Sequence, residues 1–223
     1  MDLSTPATLH LPKRVEVGSG TAARLGTWAK SFDRILIVPS RSTRDLVDRL
    51  ALTGDIALAS DIPAEPKDRD LDEALDAARQ HRPDLVVGLG GGSVMDVAKL
   101  VAVLWNSDQT LTEVVGPNKV AQKCAALAQV ATTAGTGSEG GIRALVTSTG
   151  TGAKLAVESP YMAADIAVLD PDLTISVPPA MTAATGVDAL AHSVEAFTNV
   201  NAHPLVDSYA RLGIGLAGQH LAK

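Results

Sequence analysis

Leu85-Val-Val-Gly-Leu-Gly-Gly-Gly-Ser93 is the stretch on which the fold turns. Its first half is a short continuous apolar run, the pattern of a strand covered on both faces of a parallel sheet. It passes directly into three glycines and a serine, and from Ser93 to about Asn106 the chain reads as a helix. A strand that turns into a helix through residues without side chains lets an anion approach the N–H groups at the helix start, where the helix dipole also favours negative charge; pyrophosphate is the usual guest. The spacing Gly-x-Gly-Gly-Gly-Ser lacks the last glycine of the G-x-G-x-x-G fingerprint, and no Gly-Lys-Ser/Thr of a P-loop is present. A plain helix start would use Ser93 as the cap and Asp96 to close an S-x-x-D capping box. Such a cap explains those two residues and leaves the run of glycines unexplained.

Outward from this turn, strand and helix patterns alternate. Arg34–Pro39 is a second buried strand, followed by a helical stretch over about 43–52 and a strand over 55–60. Leu71, Ala74, Leu75 and Ala78 recur at the spacing of an amphipathic helix over 70–81. Further strands are read at 127–131 and 167–170, and Ser176-Val-Pro-Pro179 then breaks the chain. Beyond it the sequence reads as helix over 180–198, a turn over 199–204, and helix over 205–221. The expected architecture is therefore α/β: a parallel-sheet domain over 1–177, then an all-α segment over 178–223 that reads as the truncated start of a second domain.

Composition narrows the function. Of 223 residues 46% are apolar but only 3% aromatic, so there are few rings on which bases could stack. With 19 basic against 25 acidic residues the formal charge is −6, and with no basic cluster nucleic-acid binding is disfavoured. The lone Cys124 excludes an internal disulfide and fits a reducing compartment, where it serves as a small hydrophobe. No signal peptide and no run near ~18 apolar residues is seen, so the expectation is a cytoplasmic protein without a membrane span.

Two more features carry chemistry. Thr132-Thr-Ala-Gly-Thr-Gly-Ser-Glu139 places four hydroxyls and two glycines after a buried strand. Such neutral donors suit phosphate, ribose or carboxamide, and ligands of open α/β sheets sit beyond strand C-terminal ends. Asp188 and His192 lie four residues apart, with Glu195 three further on, so all three share one helix face. A carboxylate and an imidazole at that spacing can grip one divalent ion, although a solvated Asp–His pair gives the same pattern and two ligands do not complete a site.

Taken in order, Gly90-Gly-Gly-Ser-Val-Met-Asp-Val-Ala-Lys99, Thr132–Glu139, Leu169-Asp-Pro-Asp-Leu173 and Gly186-Val-Asp-Ala-Leu-Ala-His-Ser-Val-Glu-Ala-Phe197 resemble the iron-containing (group III) alcohol dehydrogenases. The resemblance implies reversible hydride transfer between an alcohol and NAD(P)+, with an aldehyde or ketone reduced in reverse. It implies that Gly91, Gly92 and Ser93 hold the pyrophosphate and that Asp96 lies by the nicotinamide. Thr132, Thr133 and Thr136 would touch the cofactor from the second loop, Lys154 would approach it, and Leu173 would contact the adenine side. Asp188 and His192 match the first two ligands of a catalytic divalent metal, Fe2+ in most members and Zn2+ in some. Dimers are common in the family, so a homodimer is also expected.

Departures from the family pattern shape the remaining expectations. Where members commonly carry an Asp for the adenosine ribose, this chain has Val38-Pro-Ser40-Arg41-Ser42-Thr43-Arg44. Without that carboxylate a 2′-phosphate is not repelled, and Arg41 or Arg44 could pair with it, so NADP is favoured over NAD. The alternative is that Ser42 or Thr43 caps a helix and the arginines are solvated. Gly140-Gly141 replaces a bulkier pair and leaves the substrate class open. The family's third and fourth metal ligands are histidines that the chain does not contain. In a helical hairpin turning near Asn201, His220 would lie roughly 15 Å from the level of His192 and His203 about 16 Å away, so neither substitutes. Two alternatives follow: a nucleotide-binding module without catalysis, and a maleylacetate-reductase-like enzyme.

Overall fold

A computed structural model describes residues 8–222. The chain forms two compact units: one comprises His10–Thr132 and Ser138–Ile175, and the other includes Thr133–Gly137 and the chain from Ser176 onward.

In chain order the larger unit contains β1 (Val15–Val17), α1 (Arg24–Trp28), β2 (Arg34–Pro39), β3 (Asp55–Leu58), α2 (Asp68–His81), β4 (Leu85–Gly90) and α3 (Gly92–Leu104). They are followed by the single turn α4 (Leu111–Val114), β5 (Gly116–Pro117), β6 (Ala126–Ala131), β7 (Arg143–Thr147), β8 (Lys154–Glu158) and β9 (Ile166–Leu169). Six strands form one sheet in the order β1-β9-β6-β4-β2-β3, with every neighbouring pair parallel. The α/β parallel architecture expected from the alternating patterns is thus the one adopted.

Side chains alternate across each strand, so the apolar runs feed two cores. Leu36, Val38 and Val86 pack with α2 and α3 on one face, whereas Ile35, Ile37, Leu85, Val87 and Leu89 pack with Leu25 of α1 and Leu50 on the other. Ten of the thirteen residues of α3 are buried, as expected of a helix apolar on all sides. Its closeness to the sheet requires Gly88: a Cβ there would stand 2.4 Å from Gln129 Oε1 and 2.9 Å from Ala98 Cβ.

Some elements depart from the sequence pattern. The stretch read as a helix over 43–52 is a 3-10 helix over Arg44–Leu50, ended by Ala51 in the left-handed region at φ 48°. Seven residues are too few to offset α-helix nucleation unless tertiary packing supports it. β1, at the sheet edge beside β9, and a small second sheet of order β5-β8-β7 also lay outside that pattern. Their strands are two to five residues long and are not covered on both faces, so they lack the continuous apolar run that marks β2 and β4.

The topology marks one place on the sheet. From β2 the chain moves outward to β3, then returns over α2 to β4 on the other side of β2. The connections therefore reverse direction between β2 and β4, and ligands of open α/β sheets bind beyond the strand C-termini at such a switch point.

The second unit holds α5 (Pro179–Thr198) and α6 (Pro204–His220), each opening with proline in its first turn, where a missing N–H costs nothing. Ser193 meets Gly213 and Gly186 meets Leu221, so the helices run antiparallel. No residue of α5 is buried and only Ala210 of α6 is.

Candidate dinucleotide and metal sites

The Gly90–Ser93 turn lies at the C-terminal end of β4, on the switch point. Gly91 occupies the N-cap position of α3 in extended conformation, offers no side chain to the helix, and no acidic residue stands in the first turn. The alternative reading of this turn, a capping box of Ser93 and Asp96, does not form. Ser93 lies inside the helix and donates its hydroxyl to the Ala64 carbonyl, while Asp96 accepts from the Ser138 hydroxyl at 2.6 Å and the Leu145 N–H at 3.0 Å. The first N–H groups of α3 thus meet no capping side chain, the arrangement that receives an anion.

The second loop begins beside this turn. Gly90 pairs in register with Ala131 of β6, and the Thr132 N–H donates to the Gly90 carbonyl at 3.1 Å. Thr133 and Thr136 follow in the Thr133–Gly137 segment. Gly135 is required there because a Cβ would stand 2.5 Å from the Thr185 carbonyl of α5. The far end of the loop is gripped from α3: Lys99, only 1% exposed, donates its ammonium to Ser138 Oγ at 2.7 Å and to the Arg143 carbonyl at 2.8 Å, with Asp96 Oδ1 at 3.4 Å. Burial pulls the Lys99 pKa below its ordinary value, against the opposing pull of Asp96 and Glu139. Asp96, expected beside the nicotinamide, has both carboxylate oxygens engaged within the protein.

Beyond β2, Thr43 is buried and donates to the Leu89 carbonyl at 2.7 Å while accepting the Ser40 N–H at 2.9 Å, so it ties this loop to β4 rather than capping a helix by its side chain. Arg44 is engaged with Asp61 at 2.6 Å and with the Ala59 carbonyl at 3.1 Å. Arg41 is exposed, and among the described residues it has no partner. Lys154 stands exposed at the start of β8, whereas Leu173 is 2% exposed and packs into the second core. Cys124 donates to the Val103 carbonyl at 3.2 Å, and burial pushes its thiol pKa up, which disfavours the thiolate.

In the smaller unit His192 Nε2 lies 3.6 Å from Asp188 Oδ1, both side chains being partly exposed. The donor chemistry suits a divalent ion, but among the described residues no group of three or more His, Cys, Asp or Glu could hold one. His203 Nδ1 instead accepts from the Leu205 N–H at 3.3 Å and caps α6. The Ser193–Gly213 contact sets the register, so His220 sits about six residues, or ~9 Å, past the level of His192. The separation is smaller than the ~15 Å of a hairpin turning at Asn201, because the connection moves the turn toward His203. It is still too far for a shared ion.

Sequence reasoning did not assign roles to Lys99, Ser138 or Asp61. The signal for Lys99 was present: with Asp96 it is one of two charges in the otherwise apolar run Val94–Leu104.

The profile of the family described as "Iron-containing alcohol dehydrogenase" matches residues 12–171, and that of "Fe-containing alcohol dehydrogenase family, C-terminal" matches residues 182–223. The chain is 42% identical over 168 residues to long-chain-alcohol dehydrogenase 1 of Geobacillus thermodenitrificans, covering 74% of this chain and 42% of that one. It is 29% identical over 222 residues to the NAD-dependent methanol dehydrogenase of Bacillus methanolicus, covering 96% and 58%. Among solved structures, sulfoacetaldehyde reductase from Bifidobacterium kashiwanohense in complex with NAD+ superposes with a TM-score of 0.89 at 29% identity, covering 97% of this chain and 60% of that one. The chain spans about half the length of the curated relatives it matches. With one family profile matching residues 12–171 and its C-terminal counterpart matching 182–223, the chain belongs to the iron-containing alcohol dehydrogenase family.

Proposed function

We propose that this chain carries the NAD(P)-binding part, and the first two metal ligands, of an oxidoreductase that interconverts small alcohols with aldehydes or ketones. The observation that carries the reading is the uncapped, glycine-lined start of α3 at the switch point, with Thr132 bonded to Gly90 beside it. The donor set fits a dinucleotide. N–H groups at Gly91, Gly92 and Ser93 would take the pyrophosphate, and Thr132, Thr133 and Thr136 would hydrogen-bond the cofactor from the second loop. Leu173, though buried in the second core, would belong to the adenine side, and Lys154 at the start of β8 would approach the cofactor. When bound, the nicotinamide supplies the hydride acceptor or donor. The fit to a metal is partial: Asp188 and His192 supply two donors, where an open catalytic site uses about three. Fe2+ is the ion favoured, ahead of Zn2+.

For the adenosine end we favour NADP. No carboxylate stands at Ser40–Arg44 to repel a 2′-phosphate, and Arg41 beside the Ser40 hydroxyl is a cation without a partner among the described residues. A homodimer in the cytoplasm belongs to the same reading. Among the described residues no helix is long and apolar enough to cross a membrane.

Titration of the purified chain with NADPH and with NADH, followed by nicotinamide fluorescence, tests the proposal. Enhanced fluorescence with tighter binding of NADPH is expected, and no response to either would overturn the reading. Bound iron and zinc measured on the same preparation should fall on His192→Ala if that pair binds metal.

A further inference from the structure

We propose that Lys99 is a positioning residue which, through Ser138 and Asp96, holds the far end of the Thr132–Glu139 loop in the posture that receives the dinucleotide. The inference rests on the loop's proposed role as a cofactor contact. Lys99 touches no site for cofactor or substrate: its side chain is fully buried, and its ammonium faces three acceptors on three segments, Ser138 Oγ, the Arg143 carbonyl of β7 and Asp96 of its own helix. An ammonium has three N–H donors, so this set can satisfy all of them.

The geometry ties both ends of the loop to one rigid body. The near end is fixed where the Thr132 N–H meets the Gly90 carbonyl in the turn that begins α3. The far end is fixed at Ser138, which donates to Asp96 and accepts from Lys99, four to seven residues along the same helix. Asp96 extends the clasp by accepting the Leu145 N–H of β7 at 3.0 Å. Residues 133–137, which carry Thr133 and Thr136, lie between these two anchors. The α3 helix that presents the glycine turn therefore also holds Thr132 and Ser138, the residues on either side of the 133–137 segment.

A buried charge is a costly way to fill space. Well-packed apolar side chains of similar volume often serve stability as well or better, so a buried lysine in an apolar helix calls for a reason other than packing. Directional bonds to a loop supply one, since a methionine could fill the same volume without orienting Ser138.

Ser138→Ala tests the clasp without leaving Lys99 unpaired, because Asp96 and the Arg143 carbonyl remain. We expect a folded protein with NADPH affinity reduced about tenfold, as loss of a hydrogen bond to a charged group implies. Amide exchange should be faster in residues 133–139 and unchanged in β4 and α3, a restriction that general destabilisation would not produce. Ser138→Thr keeps the hydroxyl and should recover most of the affinity, and Lys99→Met should shift binding and exchange in the same direction as Ser138→Ala. Wild-type affinity or wild-type exchange in folded Ser138→Ala or folded Lys99→Met would overturn the proposal. A wild-type chain that bound neither NADPH nor NADH would instead remove the functional reading, and the exchange measurement alone would then decide the clasp.

Discussion

Arg41 and Arg44 stand three residues apart, and the fold gives them different surroundings. Arg44 is committed to Asp61 and the Ala59 carbonyl, whereas Arg41 has no partner among the described residues. Arg41→Ala should therefore weaken NADPH by about tenfold and leave NADH nearly unchanged, the effect of losing one charge-assisted bond to a 2′-phosphate. Arg44→Ala should affect the two cofactors alike, by loosening the loop. Equal losses of NADPH and NADH on Arg41→Ala, in paired fluorescence titrations, would refute the division. From the sequence the two arginines were equivalent candidates, because the engagement of Arg44 depends on Asp61, seventeen positions away. Gly88 is a second case in which one residue governs its surroundings. Gly88→Ala forces a Cβ against Gln129 Oε1 and Ala98, so it should cost about 1–3 kcal/mol in urea unfolding, as overpacking of a close contact does.

Among elements, the starts of β6 and β9 are held by one carboxylate. Asp165 accepts from Lys123 Nζ at 2.7 Å and the Leu127 N–H at 2.8 Å, and pairs with Lys13 at 2.7 Å. Burial by itself would raise its pKa, but the bonds from Lys123, Lys13 and Leu127 outweigh burial and hold the carboxyl below the ordinary value. A carboxyl depressed in the folded state stabilises that state above its unfolded pKa, and the contribution is lost as pH falls through the folded pKa. The urea midpoint should therefore drop as pH falls below about 5 and keep falling through the depressed folded pKa, and Asp165→Asn should show a smaller drop; an identical pH dependence in the variant would count against this role. The longer elements were legible because periodicity extends over enough residues to register. The β7–β8 hairpin, β1 and the 3-10 turn over Arg44–Leu50 were not, since they lack a continuous apolar run or depend on neighbours distant in sequence: β1 on β9, and the Arg44 turn on Thr43 gripping Leu89.

Over the whole molecule, burial is unevenly distributed. β4 is buried at all six positions and α3 at ten of thirteen, whereas α5 buries none of its twenty residues. Val187, Val194, Leu205, Tyr209, Leu212 and Leu216 stand exposed on α5 and α6. Segments with few buried apolar contacts open at lower free energy. Amide exchange should therefore be slowest in β4, β6 and α3 and markedly faster through α5 and α6; uniform protection across both units would contradict that ordering. The same division separates what was legible from what was not. Adjacent residues alone determined the alternation of strands and helices, the glycine turn, the hydroxyl loop and the Asp188–His192 pair, because hydrophobic period, missing side chains and helical spacing are all local properties. Only the tertiary structure decided the strand order with its switch point, the inward turn of Asp96, the engagement of Arg44 but not Arg41, and the bonds of Lys99. Those depend on contacts such as Thr43 to Leu89, Lys99 to Ser138 and Asp96 to Leu145, which join residues 39 to 49 positions apart and leave no trace in any local pattern.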